Sequence, residues 1–277
     1  MDSTALIAAS AVLGLFVGSF VTMVVDRVPD HLALFRPGPR CGLCEAPIAR
    51  RDLVPVASWF QLRGRCASCG ERFGAAYPIV EVVTALAFAG AAWRIGTHWD
   101  LIGFFVFFAA LITLSTVDFF EYWIPDRILF PVLGMSLVLI AAISVAVGET
   151  VRILWALAGA VLYGVVLGLP ALIKPDKLGL GDAKLALLIG LYLGWLGEYI
   201  AAARLILSSL LMSCAIGVIL GLGIFAARKF TGRDLLPDPE REEGAKEGLM
   251  AMPFPFGPAL AIGSFLGVVM APSLLTV

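Results

Sequence analysis

From residue 4 to residue 25 the chain is apolar almost without interruption, a run long enough to cross a bilayer as one helix. It stops at Asp26-Arg27-Val28-Pro29, and residues 26–77 are polar, rich in Pro and Gly, with eight arginines against five acids. Apolar runs then resume at about 78–93, 100–117, 128–147, 153–173, 185–197, 205–226 and 254–275. The pattern predicts about eight transmembrane helices and one sizeable soluble insert. The runs 78–93 and 185–197 are short for a crossing, so they are expected to tilt, to pack inside the bundle or to borrow flanking residues. No Lys or Arg precedes the first run and no small-residue cleavage site closes it, which argues against a cleaved signal peptide.

Composition sharpens the class. With 60% hydrophobic and 15% charged residues, the chain has too little charge to cover the surface of a soluble domain of 277 residues. The expected fold is an all-α polytopic membrane protein with a small cytoplasmic insert after the first helix. Its divisions are 1–25 as the first transmembrane helix, 26–77 as the insert and 78–277 as a transmembrane domain. A net charge of −1 suggests no nucleic-acid partner.

Basic residues also orient the chain. Of the 20 Lys and Arg, all but Arg94, Arg152 and Arg204 fall in 26–77, 118–127, 174–184 and 228–252, which alternating crossings place on one side. That side is expected to face the cytoplasm, with both termini outside.

The insert carries Cys41-Gly42-Leu43-Cys44 and Cys66-Ala67-Ser68-Cys69, with 21 residues between the pairs. Each C-x-x-C sets two thiolates on a tight turn, and two such knuckles complete a tetrahedral zinc site. The separation is just outside the usual zinc-ribbon range. Disulfides are disfavoured in a reducing cytoplasm, and no strand–helix context supports a redox pair. A closed zinc-ribbon-like site of four cysteines would be structural, stabilising a domain whose own core is slight: Trp59, Phe60, Leu62 and Phe73. Cys214 lies alone in an apolar run as a small lipid- or core-facing residue, and His31 and His98 share no ligand-like spacing.

Two carboxylates sit at equivalent depth on the basic side. Asp118 ends the 100–117 run, and Asp182, in Gly179-Leu180-Gly181-Asp182, opens the 185–197 run. Ionisable groups at membrane depth are costly and mark function. If the two helices pack together, one aspartate stays ionised and draws a proton from water while the other, protonated, bonds the scissile carbonyl; their titration belongs to the pair. Gly179 and Gly181 let the backbone bend and be closely approached. Asp126 reads as the cap of the helix that follows it or as support for the site. Lys184 reads as a charge that screens the pair or as one that meets lipid phosphate. Asp176 reads as an ordinary loop residue.

Taken in order, the motifs resemble the type IV prepilin peptidase family nearly end to end. They are Gly18-Ser19-Phe20, Arg27-Val28-Pro29, the two C-x-x-C pairs with Ser58-Trp59 and Leu62-Arg63-Gly64-Arg65, and Tyr77-Pro78-Ile79-Val80-Glu81. Then come Asp118 with Ile124-Pro125-Asp126, Gly179 to Leu185, and Pro255-Phe256-Gly257-Pro258. Two departures from the family pattern are Gly42, where proline is common, and Asp26, where tyrosine or a similar residue is frequent.

The resemblance implies an inner-membrane aspartyl protease that removes, at the cytoplasmic face, the basic leader of type IV prepilins and type II secretion pseudopilins. It implies methylation of the new N-terminal residue from S-adenosylmethionine, a donor that no Gly-rich nucleotide loop in this chain would have suggested. Carried over by position, Asp118 and Asp182 are the catalytic pair and Cys41, Cys44, Cys66 and Cys69 the metal ligands. Gly64 and Glu81 are candidates for methyl transfer, each with an ordinary structural reading as well: a turn into the second knuckle and a carboxylate at a helix start. Two other readings stay open: a peptidase without methyltransferase activity, and a transporter using the aspartates as relay carboxylates. The first is disfavoured because the insert is retained, the second because no internal repeat is evident.

Overall fold

The computed structural model of the chain describes residues 2–28, 33, 38–173, 179–197, 200–231 and 255–270. His31, Asp176, most of the 228–252 loop and the end of the 254–275 run lie outside the described residues. Among the described residues the regular elements are helical. They are α1 (Ser3–Arg27), a 3-10 turn (Arg50–Leu53), α2 (Ala57–Gln61), α3 (Ala76–Ile95), α4 (Asp100–Glu121) and α5 (Asp126–Val147), followed by α6 (Val151–Ile173), α7 (Leu180–Leu196), α8 (Ile200–Thr231) and α9 (Gly257–Met270).

Six of these, α1, α3, α4, α5, α6 and α8, are long and apolar enough to cross a membrane. The two runs that looked short have different outcomes. The first gains flanking residues at both ends to give the 20-residue α3. The second gives α7, which has 17 residues and spans about 26 Å, less than the roughly 30 Å of a hydrocarbon core. Nearly every residue of α7 from Leu185 to Leu196 is buried, including Tyr192 and Trp195. It is this burial, not apolarity by itself, that shows α7 enclosed by protein.

The chain forms two compact units: residues 1–116, 125–153 and 275–277, and residues 117–124 and 154–274. In the first, α1 packs along α3. Gly14 and Gly18, one turn apart on α1, face Ala85 and Glu81, and a Cβ on either would stand 2.6 Å from the facing Cα. Such small-x-x-x-small pairs let helix backbones approach where lipid supplies no hydrophobic drive. The second unit uses the same device between α6 and α7, where Gly159 meets Gly190 and Gly194 backbone to backbone. In that unit α9 lies on α8, with Ser209 donating to Ser264.

Among the described residues of the first unit, Asp100 and Arg152 form a buried ion pair. Arg152 Nη2 lies 2.7 Å from Asp100 Oδ2, and Nη1 donates to Asp100 Oδ1 at 3.3 Å and to Glu149 at 3.1 Å. Asp100 is 2% exposed, so losing the guanidinium strands a carboxylate away from water. Arg152→Met should therefore cost roughly 3–5 kcal/mol, and Asp100→Leu/Arg152→Met should recover much of that loss. Thermal unfolding in detergent measures both.

Candidate active site and metal centre

The insert is built from two knuckles that repeat each other at a 25-residue offset. Arg40 bridges Pro47 and Arg65 bridges Arg72. Within them, Cys41 N–H donates to Ala46 and Glu45 N–H to Cys41, mirrored by Cys66 N–H to Glu71 and Gly70 N–H to Cys66. The four cysteine sulfurs lie within 4.8 Å of one another, with Cys41 and Cys69 Sγ 3.8 Å apart and Cys44 and Cys66 Sγ 4.0 Å apart. A regular tetrahedron with 2.3 Å metal–sulfur bonds places sulfurs about 3.8 Å apart, so the cage fits a tetrahedral metal ion.

The thiols are tuned unevenly. Backbone N–H groups of Cys69 and Ser68 pull Cys66 down to about 6, and those of Cys44 and Leu43 lower Cys41. Cys69 receives the N–H of Glu71, yet burial and its three neighbouring thiols push it up to about 12. The four sulfurs are close enough to hold a metal ion among them.

The mirrored knuckles differ at one strained position. Gly70 has φ +74° and its counterpart Glu45 has φ +55°, a left-handed conformation that costs a side-chain-bearing residue about 1 kcal/mol. Glu45→Gly should relieve that strain and tighten metal binding about five-fold, read by competition with a chelator. Of the proposed apolar core of the insert, Phe60 is corrected: it is 65% exposed, on the edge of Trp59. A five-residue helix has no second face on which to bury both rings.

Gly64 and Glu81 both line one cavity of about 1180 Å³ in the first unit, between α1, the knuckles and α3. Gly64 has φ +63°, and a Cβ there would stand 2.9 Å from the Trp59 ring. Glu81 is 7% exposed. It accepts the Val56 N–H at 2.7 Å and the Ser19 hydroxyl, tying the insert and α1 to α3. Val56 is held at φ +61°, and Tyr77 donates to Asp26 at 2.7 Å on the cavity wall. Trp59, also in the lining, has a buried indole N–H with no partner among the described residues.

Asp118 and Asp182 both belong to the second unit. Asp118 occupies the last turn of α4 and is 6% exposed; Asp182 occupies the first turn of α7 and is 9% exposed. They are near enough to interact electrostatically. Gly179 is the N-cap of α7, with φ −66° and ψ 140°, where the chain turns from extended backbone into the helix. Gly181 is instead a packing position: a Cβ there would stand 3.2 Å from Ile124 Cβ. Lys184 is half-buried one residue beyond Ala183 on α7.

Asp126 is not the cap of α5. It is the first helical residue, Pro125 holds the cap position, and the carboxylate is exposed beside the positive end of the helix. Proline fixes an extended-to-helical entry and moves the start forward by one residue. Asp126 falls in the first unit. Cys214 is exposed on α8, the lipid-facing alternative.

Sequence reasoning missed Gly257 as a member of this site. It is the first residue of α9, it is buried, and its N–H donates to Asp118 Oδ2 at 2.8 Å. The signal in the sequence was Pro255-Phe256-Gly257-Pro258, where glycine and proline together announce a helix start.

A model of the type IV leader peptidase family matches residues 105–222, and one of the bacterial peptidase A24 N-terminal domain matches residues 12–95. The prepilin leader peptidase/N-methyltransferase of Bacillus subtilis strain 168 is 31% identical over 268 residues, covering 96% of this chain and 94% of that protein. The protein of the same name from Aeromonas hydrophila is 27% identical, covering 94% and 89%. That from Neisseria gonorrhoeae is 31% identical, covering 67% and 73%. No solved structure matches. With its motifs in order and 96% of its length matched by a relative 31% identical to it, the chain belongs to the type IV leader peptidase family.

Proposed function

We propose that Asp118 and Asp182 are the catalytic pair of a membrane aspartyl endopeptidase that cuts the basic leader from type IV prepilins and type II secretion pseudopilins. The observation that carries this is two buried carboxylates, from α4 and α7, interacting within one compact unit. Like charges placed close together in a dry site share one proton, which leaves an ionised base for water and an acid for the scissile carbonyl. The family gives the enzyme class, a leader peptidase joined to an N-methyltransferase. The basic-residue bias supports a multi-pass chain in the bacterial inner membrane, with both termini outside and the pair at the cytoplasmic face. Gly179, Gly181, Lys184 and Asp126 are supporting residues around α7 and the Ile124-Pro125-Asp126 turn.

Methyl transfer is assigned to the insert, residues 26–77, at its junction with α1 and α3, and proteolysis to residues 78–277. S-Adenosylmethionine would supply a methyl group carried on a sulfonium. The cavity that Gly64 and Glu81 line fits such a ligand: it has room for a nucleoside, a buried carboxylate for a positive charge and an unpartnered indole N–H for a ring acceptor. The four cysteines would hold one structural zinc with no open position, which keeps the metal out of both reactions.

A synthetic prepilin peptide, incubated with the purified full chain with and without S-adenosylmethionine, tests both halves. Mass spectrometry should find leader removal in both tubes and a methyl group on the new N-terminus only with the donor. Complete cleavage without methylation would leave a peptidase alone; no cleavage would remove the central claim.

A further inference from the structure

The start of α9 touches Asp118 in a way that neither carboxylate motif announces. Gly257 N–H donates to Oδ2 of Asp118 across 139 residues of sequence, within a buried contact. A Cβ at residue 257 would stand 2.7 Å from that same oxygen and 3.2 Å from Asp118 Cβ and Cγ, so only glycine lets the two groups meet. As the first residue of its helix, Gly257 presents an N–H that the helix itself cannot use, with the positive end of the helix behind it. The geometry has a second half. Asp182 lies in the first turn of α7, three residues past the N-cap Gly179, whose carbonyl accepts the Asp182 N–H. Each carboxylate thus lies at a helix N-terminus, Asp118 at that of α9 and Asp182 at that of α7.

We propose that Gly257 is a positioning residue for proteolysis: its N–H fixes Oδ2 of Asp118, so that Oδ1 is the oxygen left to share a proton with Asp182 and to address the attacking water. The reading rests on Asp118 and Asp182 being the peptidase pair. It gives α9 a role in catalysis although α9 contributes no ionisable side chain. It also explains why the chain places Phe256 and Pro258 on either side. The Phe256 ring packs at Gly217 of α8, with Cε2 3.1 Å from where a Cβ would stand, and anchors the entry; Pro258 presets a helical φ in the first turn. A free carboxylate rotor would spend much of its time with the wrong oxygen toward its partner, and misplacement by about 1 Å can cost 100-fold in rate.

The test uses the full chain in detergent, a prepilin peptide and two alanine variants of α9. Gly257→Ala should lower kcat for cleavage roughly 100-fold, with KM within two-fold and methylation of an already-cleaved peptide unchanged. Gly267→Ala places its Cβ 3.2 Å from Ser209 Cβ, away from Asp118, so it should lower the melting temperature yet keep kcat within two-fold. The inference is overturned if Gly257→Ala keeps its kcat, or if Gly267→Ala loses activity in proportion to its stability as Gly257→Ala does. Should Gly257→Ala not accumulate, amide hydrogen exchange decides: the Gly257 N–H should exchange at least ten-fold faster in Asp118→Ala than in the unaltered protein, and equal protection overturns the bond. Cleavage by both Asp118→Asn and Asp182→Asn would instead bring down the peptidase assignment beneath it.

Discussion

Asp118→Asn and Asp182→Asn should each reduce leader cleavage by roughly 10⁴-fold or more, while zinc content and methylation of a pre-cleaved peptide stay within two-fold of the unaltered protein. The magnitude follows from how such pairs work: removing either member removes the unit, so the single losses are large and do not add. Asn matches Asp in shape but neither ionises nor shares a proton, so packing in α4 and α7 is kept and only the chemistry is lost. The double variant should be no slower than the worse single one. The rate of the unaltered enzyme should be bell-shaped in pH, with two limbs that belong to the pair rather than to one residue each. A single variant that still cleaves at the normal rate would remove its aspartate from the reaction.

Cys66→Ser carries the other large effect. Metal analysis should fall from about one zinc per chain to near zero, because the site has four ligands and its knuckles have almost no core of their own. Apparent zinc-binding energies of about 10–16 kcal/mol in small zinc domains are folding energy, so the insert should unfold rather than loosen. Methylation should drop at least 100-fold. Cleavage should persist within several-fold, since Asp118, Asp182 and Gly257 all lie in the other compact unit. Loss of both activities in parallel would mean that the insert is needed to place the prepilin as well as to methylate it.

Much of this architecture was legible in the chain because the bilayer admits so few solutions. Backbone groups in hydrocarbon must bond within their own segment, so apolar length reads directly as helix. The runs from 100 to 117 and from 153 to 173 became α4 and α6 with shifts of a few residues. The cysteine cage was legible for a similar reason: four ligands and one small ion leave one geometry. What escaped was contact between elements. Nothing in hydropathy distinguishes α7, buried on all sides, from a lipid-facing span of equal apolarity. Arg152 looked like one of three loop cations until Asp100, 52 residues earlier, proved to be its partner. The Pro255-Phe256-Gly257-Pro258 run announced a helix start but not its partner Asp118, because a backbone N–H is common to almost every residue and its use depends only on where the chain brings it. At Gly179 and Gly181 the fold adds a helix cap and a contact with Ile124 that the glycine pattern alone did not specify.

The pairing of Asp100 with Arg152 also has a consequence in time. At about 5–20 residues per second, a ribosome makes Arg152 roughly 3–10 s after Asp100. For that interval α4 and α5 exist without the cation that neutralises the start of α4, and a carboxylate cannot enter hydrocarbon cheaply. The nascent hairpin must keep Asp100 among headgroups or water until α6 begins to emerge. The ion pair at the start of α4 can therefore form only once the first turn of α6 has been made.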